Sequence, residues 1–170
     1  MSTIEEKIQV INISPIARRI KYELEKMINL DICIFDNISI SRKPINYNEF
    51  EYHVSIFNDI DSRQYEFILS SHFPFKPPKL ILNSKPYCEY LRINSEAFRQ
   101  LLYKYKGQQC FCCKTKLCGD NWAPNFTISN IMDEANQIYK DCKEIADIIC
   151  INVIKRKYLI DDVNIIEWLY

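Results

Sequence analysis

Phe73-Pro74-Phe75-Lys76-Pro77-Pro78-Lys79-Leu80-Ile81-Leu82 decides how this chain folds. Three prolines within residues 73–78 remove backbone donors and fix φ, so this stretch is neither helix nor inner strand. It is a corner, and Lys79–Leu82 predicts a short strand leaving it. Upstream, Tyr65, Phe67 and Leu69 alternate with polar residues, as do Tyr52, Val54 and Ile56. That period of two marks half-buried strands, and the turn residues between Asn58 and Ser62 make the two runs antiparallel partners. The Ile-rich run 32–40 predicts a further strand before them. The expected sheet is therefore a four-stranded antiparallel meander that ends in the proline corner.

Helices flank the meander. Ser14-Pro15 is a helix start, with Ser as cap and Pro at the first helical position. Ile16, Ile20, Leu24 and Met27 follow at helical spacing, predicting a helix over 14–29. Near the other end, Thr127 or Ser129 caps a helix whose apolar stripe is Ile131, Ala135, Ile138, Cys142, Ile145 and Ile149. It runs to about 157, where Lys155, Arg156 and Lys157 suit the negative end of the helix dipole. A short helix over 94–105, built on Ala97, Phe98, Leu101 and Leu102, and a loop over 107–121 fill the middle. The tail 163–170 is expected to form a last helical turn pinned by Trp168. Consecutive strands giving way to helix define an α+β fold. With no repeat and no linker, residues 1–170 read as one domain, with a core of about 14–157 and an insert of about 86–121.

Composition narrows the functional classes. Lys plus Arg is 22 and Asp plus Glu is 22, so the chain lacks the basic excess of a general nucleic-acid binder. No apolar run approaches the ~18 residues of a membrane helix, and the polar start is not a secretory signal. Neither nucleic acid nor membrane is an expected partner, and the expected location is cytoplasmic or nuclear. The eight cysteines are the anomaly. A reducing compartment argues against disulfides. Cys33, Cys142 and Cys150 lie among apolar residues and read as small core hydrophobes. Cys110, Cys112, Cys113 and Cys118 instead crowd a polar loop, the setting for thiol chemistry or metal binding. Lys104, Lys106, Lys114 and Lys116 make this loop basic, which favours thiolate. Cys110, Cys113 and Cys118, with Cys112 or Cys88 as a fourth, supply the soft ligands a structural zinc requires; the set with Cys88 is the expected one. Cys110-x-x-Cys113 also fits a redox pair, although it lacks the usual βαβ context.

Three residue groups, in order, resemble the ubiquitin-conjugating enzyme family: Ala17-Arg18-Arg19-Ile20-Lys21-Tyr22-Glu23-Leu24, Phe73-Pro74-Phe75-Lys76-Pro77-Pro78-Lys79-Leu80, and Trp122-Ala123-Pro124 with Thr127-Ile128. They span roughly residues 14–150. The resemblance implies the UBC-like α+β fold, with a cysteine-rich insert before the second main helix. It also implies an enzyme that takes ubiquitin or a ubiquitin-like modifier as a cysteine thioester and transfers it to a lysine or a ligase. Activating enzyme, modifier and ligase are then the partners, and the reaction needs no cofactor. Gly107-Gln108-Gln109-Cys110-Phe111 matches the family's glycine-led cysteine, so Cys110 is the expected nucleophile. Cys113, nine residues before Trp122, and Cys112 are the alternatives. Asp120, Asn121 and Trp122 adjoin the site. Arg18, Arg19, Phe75 and Pro124 resemble the family's ligase-contacting positions. The chain departs from the family where His-Pro-Asn is expected, reading Lys85-Pro86-Tyr87-Cys88-Glu89-Tyr90 instead. Pro78 to Trp122 is also 44 residues, longer than usual. The competing reading is a catalytically inactive binding module of the same fold, stapled by zinc through the cysteine cluster.

Overall fold

The computed structural model describes residues 15–29, 38–47, 49–58 and 62–158. In chain order the elements are α1 (Pro15–Asn29), β1 (Ile38–Pro44), β2 (Phe50–Asn58), β3 (Arg63–Ser70), β4 (Lys79–Leu82), β5 (Lys85–Pro86), α2 (Tyr87–Tyr90), α3 (Glu96–Lys106) and α4 (Ile128–Tyr158). The architecture is α+β: a helix, an antiparallel sheet in the order β1-β2-β3-β4-β5, and a long C-terminal helix. Strand 32–40 is described only from Ile38, and it continues to Pro44. Ser14, Cys33 and the tail with Trp168 lie outside the described residues.

The meander has five strands rather than four. Asn83 and Ser84 both take positive φ (48° and 64°), the backbone of a two-residue hairpin turn that matches strand twist. The Asn83 side chain holds this turn to β3 by accepting from Gln64 N–H at 2.9 Å. The chain therefore reverses after Leu82 and Lys85-Pro86 pairs back on β4. Proline is tolerated there because β5 is an edge strand.

The alternation read in the sequence is the core. Ile38 faces Ile56, Val54 faces Phe67, and Tyr65 faces Leu82 across the ladders. All six are buried. They join Ile20, Leu24 and Met27 of α1 and Ile131, Met132, Ala135 and Ile145 of α4 in one apolar cluster. Cys142 packs against it as expected, whereas Cys150 is exposed: its neighbour Ile149 still packs on the core, and the next position on the helix turns away from it. On α4, Thr127 caps the start: its hydroxyl accepts from Asn130 N–H at 3.2 Å, while Asn130 accepts from Thr127 N–H at 3.1 Å.

Three segments far apart in sequence meet at the start of α4. The Trp122 indole N–H donates to the Pro74 carbonyl at 2.7 Å, and its ring lies between Phe73 (6.2 Å) and Phe126 (5.7 Å). Arg19 stacks over Phe73 and donates to the Phe126 carbonyl at 3.0 Å. The buried Glu23 carboxylate accepts from Arg19 Nε at 2.7 Å and from the Ile128 backbone at 2.8 Å. It thus satisfies an otherwise orphan N–H at the positive end of α4. Replacing Glu23 by Ala leaves that buried N–H and the Arg19 Nε–H without their acceptor, while the guanidinium keeps its bond to the Phe126 carbonyl. We expect Glu23→Ala to lose about 2–3 kcal/mol in urea denaturation. A loss below about 0.5 kcal/mol, the scale of an ordinary surface substitution, would show that the carboxylate does not join α1 to α4.

Candidate functional site: a three-thiol turn

The cysteine loop begins where α3 ends. Ser95 caps α3, and Gly107 closes it in the left-handed conformation (φ 64°), donating to the Tyr103 carbonyl at 2.9 Å. Gly107 therefore has a helix-stopping role as well as its place in the Gly-x-x-Cys pattern. Lys106 ties this end of α3 to α4 through Asp141 and Glu144, both at 2.8 Å. Three residues past Gly107 comes Cys110, half-buried. Phe111 then plunges into the core, only 2% exposed, and Cys112 and Cys113 return to the surface.

The far side of the turn is held from two directions. On α4, Glu134 accepts from the Thr115 hydroxyl at 2.5 Å and from Lys116 N–H at 2.9 Å, and it pairs with the Lys116 ammonium at 3.3 Å. The Asn121 amide donates to the carbonyls of Cys113 (2.8 Å) and Thr115 (3.1 Å). Asn121 is thus engaged in shaping the turn. Asp120 beside it is exposed.

Within the turn, Cys110 Sγ and Cys113 Sγ share a hydrogen bond at 3.2 Å, and Cys112 Sγ lies 3.8 Å from Cys113 Sγ. The three sulfurs are all within 4.8 Å of one another. Cys118 and Cys88 are not part of this group, so the close set differs from the Cys110, Cys113, Cys118 and Cys88 set suggested by spacing. The hydrogen bond from Cys113, then its backbone N–H, then the Cys112 thiol hold the Cys110 thiol below its ordinary range. Hydrogen bonding to Cys110, then to Cys112, pushes the Cys113 thiol up to about 11. Lysine is not what lowers Cys110. Lys106 and Lys116 are paired with carboxylates, and the stabilising groups are sulfur and backbone. Burial, then Asp141, pushes the Cys142 thiol up to about 11, as befits a packing residue.

The remaining sequence candidates separate into two kinds. Phe75 (79% exposed), Pro124 and Arg18 stand on the surface. Phe75 borders a shallow apolar groove of about 460 Å³ shared with Ile16, Phe50, Phe73 and Arg42. Arg19 does not stand free with them: its ion pair with Glu23, its bond to Phe126 and its stacking on Phe73 commit it to the fold. Trp122 is likewise a packing residue. In the segment Lys85–Tyr90, Pro86 is in β5 and Tyr87 is buried with its hydroxyl unpartnered. Burial, then Glu134, raises that phenol. Glu134 itself was not singled out from sequence, where it is one acidic residue on a helix. No helix among the described residues is long and apolar enough to cross a membrane. Comparison with protein-family models, curated proteins and solved structures finds no match to the chain.

Glu134→Ala strips the acceptor from a buried hydroxyl and a backbone N–H together, and we expect it to cost about 2–3 kcal/mol in chemical denaturation. An unchanged midpoint would mean that the turn holds itself. The thiol order is tested by limiting iodoacetamide at pH 7, with each site localised by fragment mass spectrometry. Because the Cys110 thiolate persists at lower pH and Cys113 ionises only toward about 11, we expect Cys110 to react at least about tenfold faster than Cys113. Faster reaction at Cys113 would reverse the assignment.

Proposed function

We propose that the chain is a divergent ubiquitin-conjugating enzyme that carries the C-terminus of ubiquitin, or of a ubiquitin-like modifier, as a thioester on Cys110. The observation that carries this reading is the half-buried Cys110, its sulfur 3.2 Å from that of Cys113 and its thiol lowered by its neighbours, in the turn that leads to the Trp122 helix entry. Support for the family comes from the way its three sequence groups converge: Arg19 on Phe73 and Phe126, and Trp122 on Pro74.

In the first step the Cys110 thiolate attacks the thioester carbonyl on the activating enzyme. A new C–S bond forms, and the activating enzyme's cysteine leaves as thiolate. In the second step a neutral substrate amine attacks the Cys110 thioester, forming a C–N bond as the C–S bond breaks, and Cys110 leaves as thiolate while the amine's proton passes to solvent. With a ligase thiolate the new bond is C–S and no proton is released. Cysteine suits both steps because its thiolate is a good nucleophile and a good leaving group. We assign Asp120, exposed beyond the turn, to attracting the incoming lysine. Asn121 acts by positioning the turn through the Cys113 carbonyl. Phe75, Pro124 and the groove beside Phe75 form the surface assigned to the ligase, together with the exposed Arg18 of α1. Exposed apolar tips of this kind suit a protein partner.

One feature favours a second reading, a binding module of the same fold without transfer. The segment in place of His-Pro-Asn offers a buried tyrosine and no side-chain amide.

Incubating the reduced, chelator-treated chain with activating enzyme, ATP and ubiquitin decides between the two. The expected result is a single-modifier adduct on a non-reducing gel, removed by thiol and missing in Cys110→Ser but retained in Cys113→Ser. Ubiquitin or ligase binding with no adduct would establish the module instead, and an adduct that survives Cys110→Ser would move the nucleophile elsewhere.

A further inference from the structure

We propose that Cys110, Cys112 and Cys113 form a binding site for a thiophilic cation, with zinc the ion it fits, and that a fourth coordination position is left to an exogenous ligand. The site itself stands on the sulfur geometry; only its effect on acylation rests on the acyl-transfer reading. In a tetrahedral zinc site with Zn–S near 2.3 Å, sulfurs lie about 3.8 Å apart. Here Cys112 and Cys113 are at 3.8 Å, Cys110 and Cys113 are at 3.2 Å, and all three sulfurs fall within 4.8 Å of one another. Closing them around one ion takes small side-chain rotations rather than backbone movement.

The turn is built to keep that arrangement. Gly107 ends α3 just before it, Phe111 is fixed in the core between the ligands, and Asn121 holds the Cys113 carbonyl. The donor set selects the ion. Three sulfurs with no carboxylate or imidazole in the group favour zinc, copper(I) or cadmium over calcium or magnesium. Among the described residues no fourth His, Cys, Asp or Glu joins the group. Structural zinc sites are closed by four protein ligands, whereas three protein ligands leave a position for water or another molecule. The site is therefore exchangeable rather than a staple for folding. A thiolate bonded to zinc has its lone pair committed, so an occupied site withholds Cys110 from acylation, and removal of the ion returns it.

The test uses the full chain, reduced and stripped of metal, titrated with Zn²⁺ in competition with a chromophoric chelator and separately with Co²⁺. We expect one ion per chain and an intense thiolate-to-cobalt charge-transfer band. Zinc affinity should fall at least about tenfold in Cys112→Ser, which alters an exposed residue. It should be unchanged in Cys88→Ser and Cys118→Ser, and circular dichroism should show the same fold with and without zinc. Absence of stoichiometric binding, cobalt spectra lacking the charge-transfer band, an unchanged affinity in Cys112→Ser, or equal loss in Cys118→Ser would each overturn the site. Because this titration needs no activating enzyme, its failure leaves the thioester assay untouched. Conversely, a metal-free chain that forms no adduct leaves the titration untouched.

Discussion

The Glu134 carboxylate accepts from the Thr115 hydroxyl and the Lys116 backbone and pairs with the Lys116 ammonium, so one group on α4 fixes the outgoing limb of the cysteine turn. A turn of this length has little core of its own: Phe111 and Thr115 are its buried residues, and the thiols lie on the surface or at its edge. Its shape must come from polar contacts to a rigid element. α4 is rigid because its other residues, Ile131, Met132 and Ala135, are buried against the sheet. The same helix thus closes the core with one face and sets the position of the thiols with an adjacent one. Burying that carboxylate is tolerable because each of its oxygens receives donors.

A second polar node acts at the other end of the same connection. Glu23 and Arg19 join α1 to the first turn of α4, and Trp122 joins that entry to the proline corner. The cysteine turn lies between these nodes in the chain. Its two ends are held by unrelated contacts, Lys106 on Asp141 and Glu144 before it and Glu134 with Asn121 after it. Such a bracket allows a sequence with several exposed thiols to hold them in one relative arrangement.

What the sequence disclosed and what it withheld divide along physical lines. Strands β2 and β3 were legible because alternate residues are buried, and burial writes a period of two into Tyr52, Val54, Ile56 and Tyr65, Phe67, Leu69. α1 and α4 were legible for the corresponding helical reason, and the proline corner because proline removes the alternatives. The hairpin to β5 was missed because its turn is Asn83-Ser84, without the glycine that usually marks positive φ. Arg19 read as a solvated or partner-facing charge, and Glu134 as nothing in particular. Each acts through one contact with a segment distant in the chain, and a single contact leaves no periodicity. For the same reason spacing alone grouped Cys110 and Cys113 with Cys118 and left Cys112 and Cys88 open as a fourth, while the backbone path over Phe111 brings Cys112 in and leaves Cys118 and Cys88 out.

That grouping also constrains what the thiols can do. Three sulfurs this close cannot all carry charge without a cation among them. In the bare cluster the hydrogen bonds from Cys113 and Cys112 lower the Cys110 thiol, and Cys110 in turn pushes the Cys113 thiol up to about 11. A single activated thiol is the form suited to the acyl transfer proposed above. Full deprotonation becomes favourable only when a positive ion compensates the repulsion, and then no sulfur remains available to a carbonyl. The two chemistries proposed above therefore compete for the same sulfurs: if both hold, a bound soft cation and an acyl group exclude one another at Cys110. A dispersed arrangement, with one cysteine in the turn and the others in the core like Cys142, would have kept the nucleophile and lost this choice.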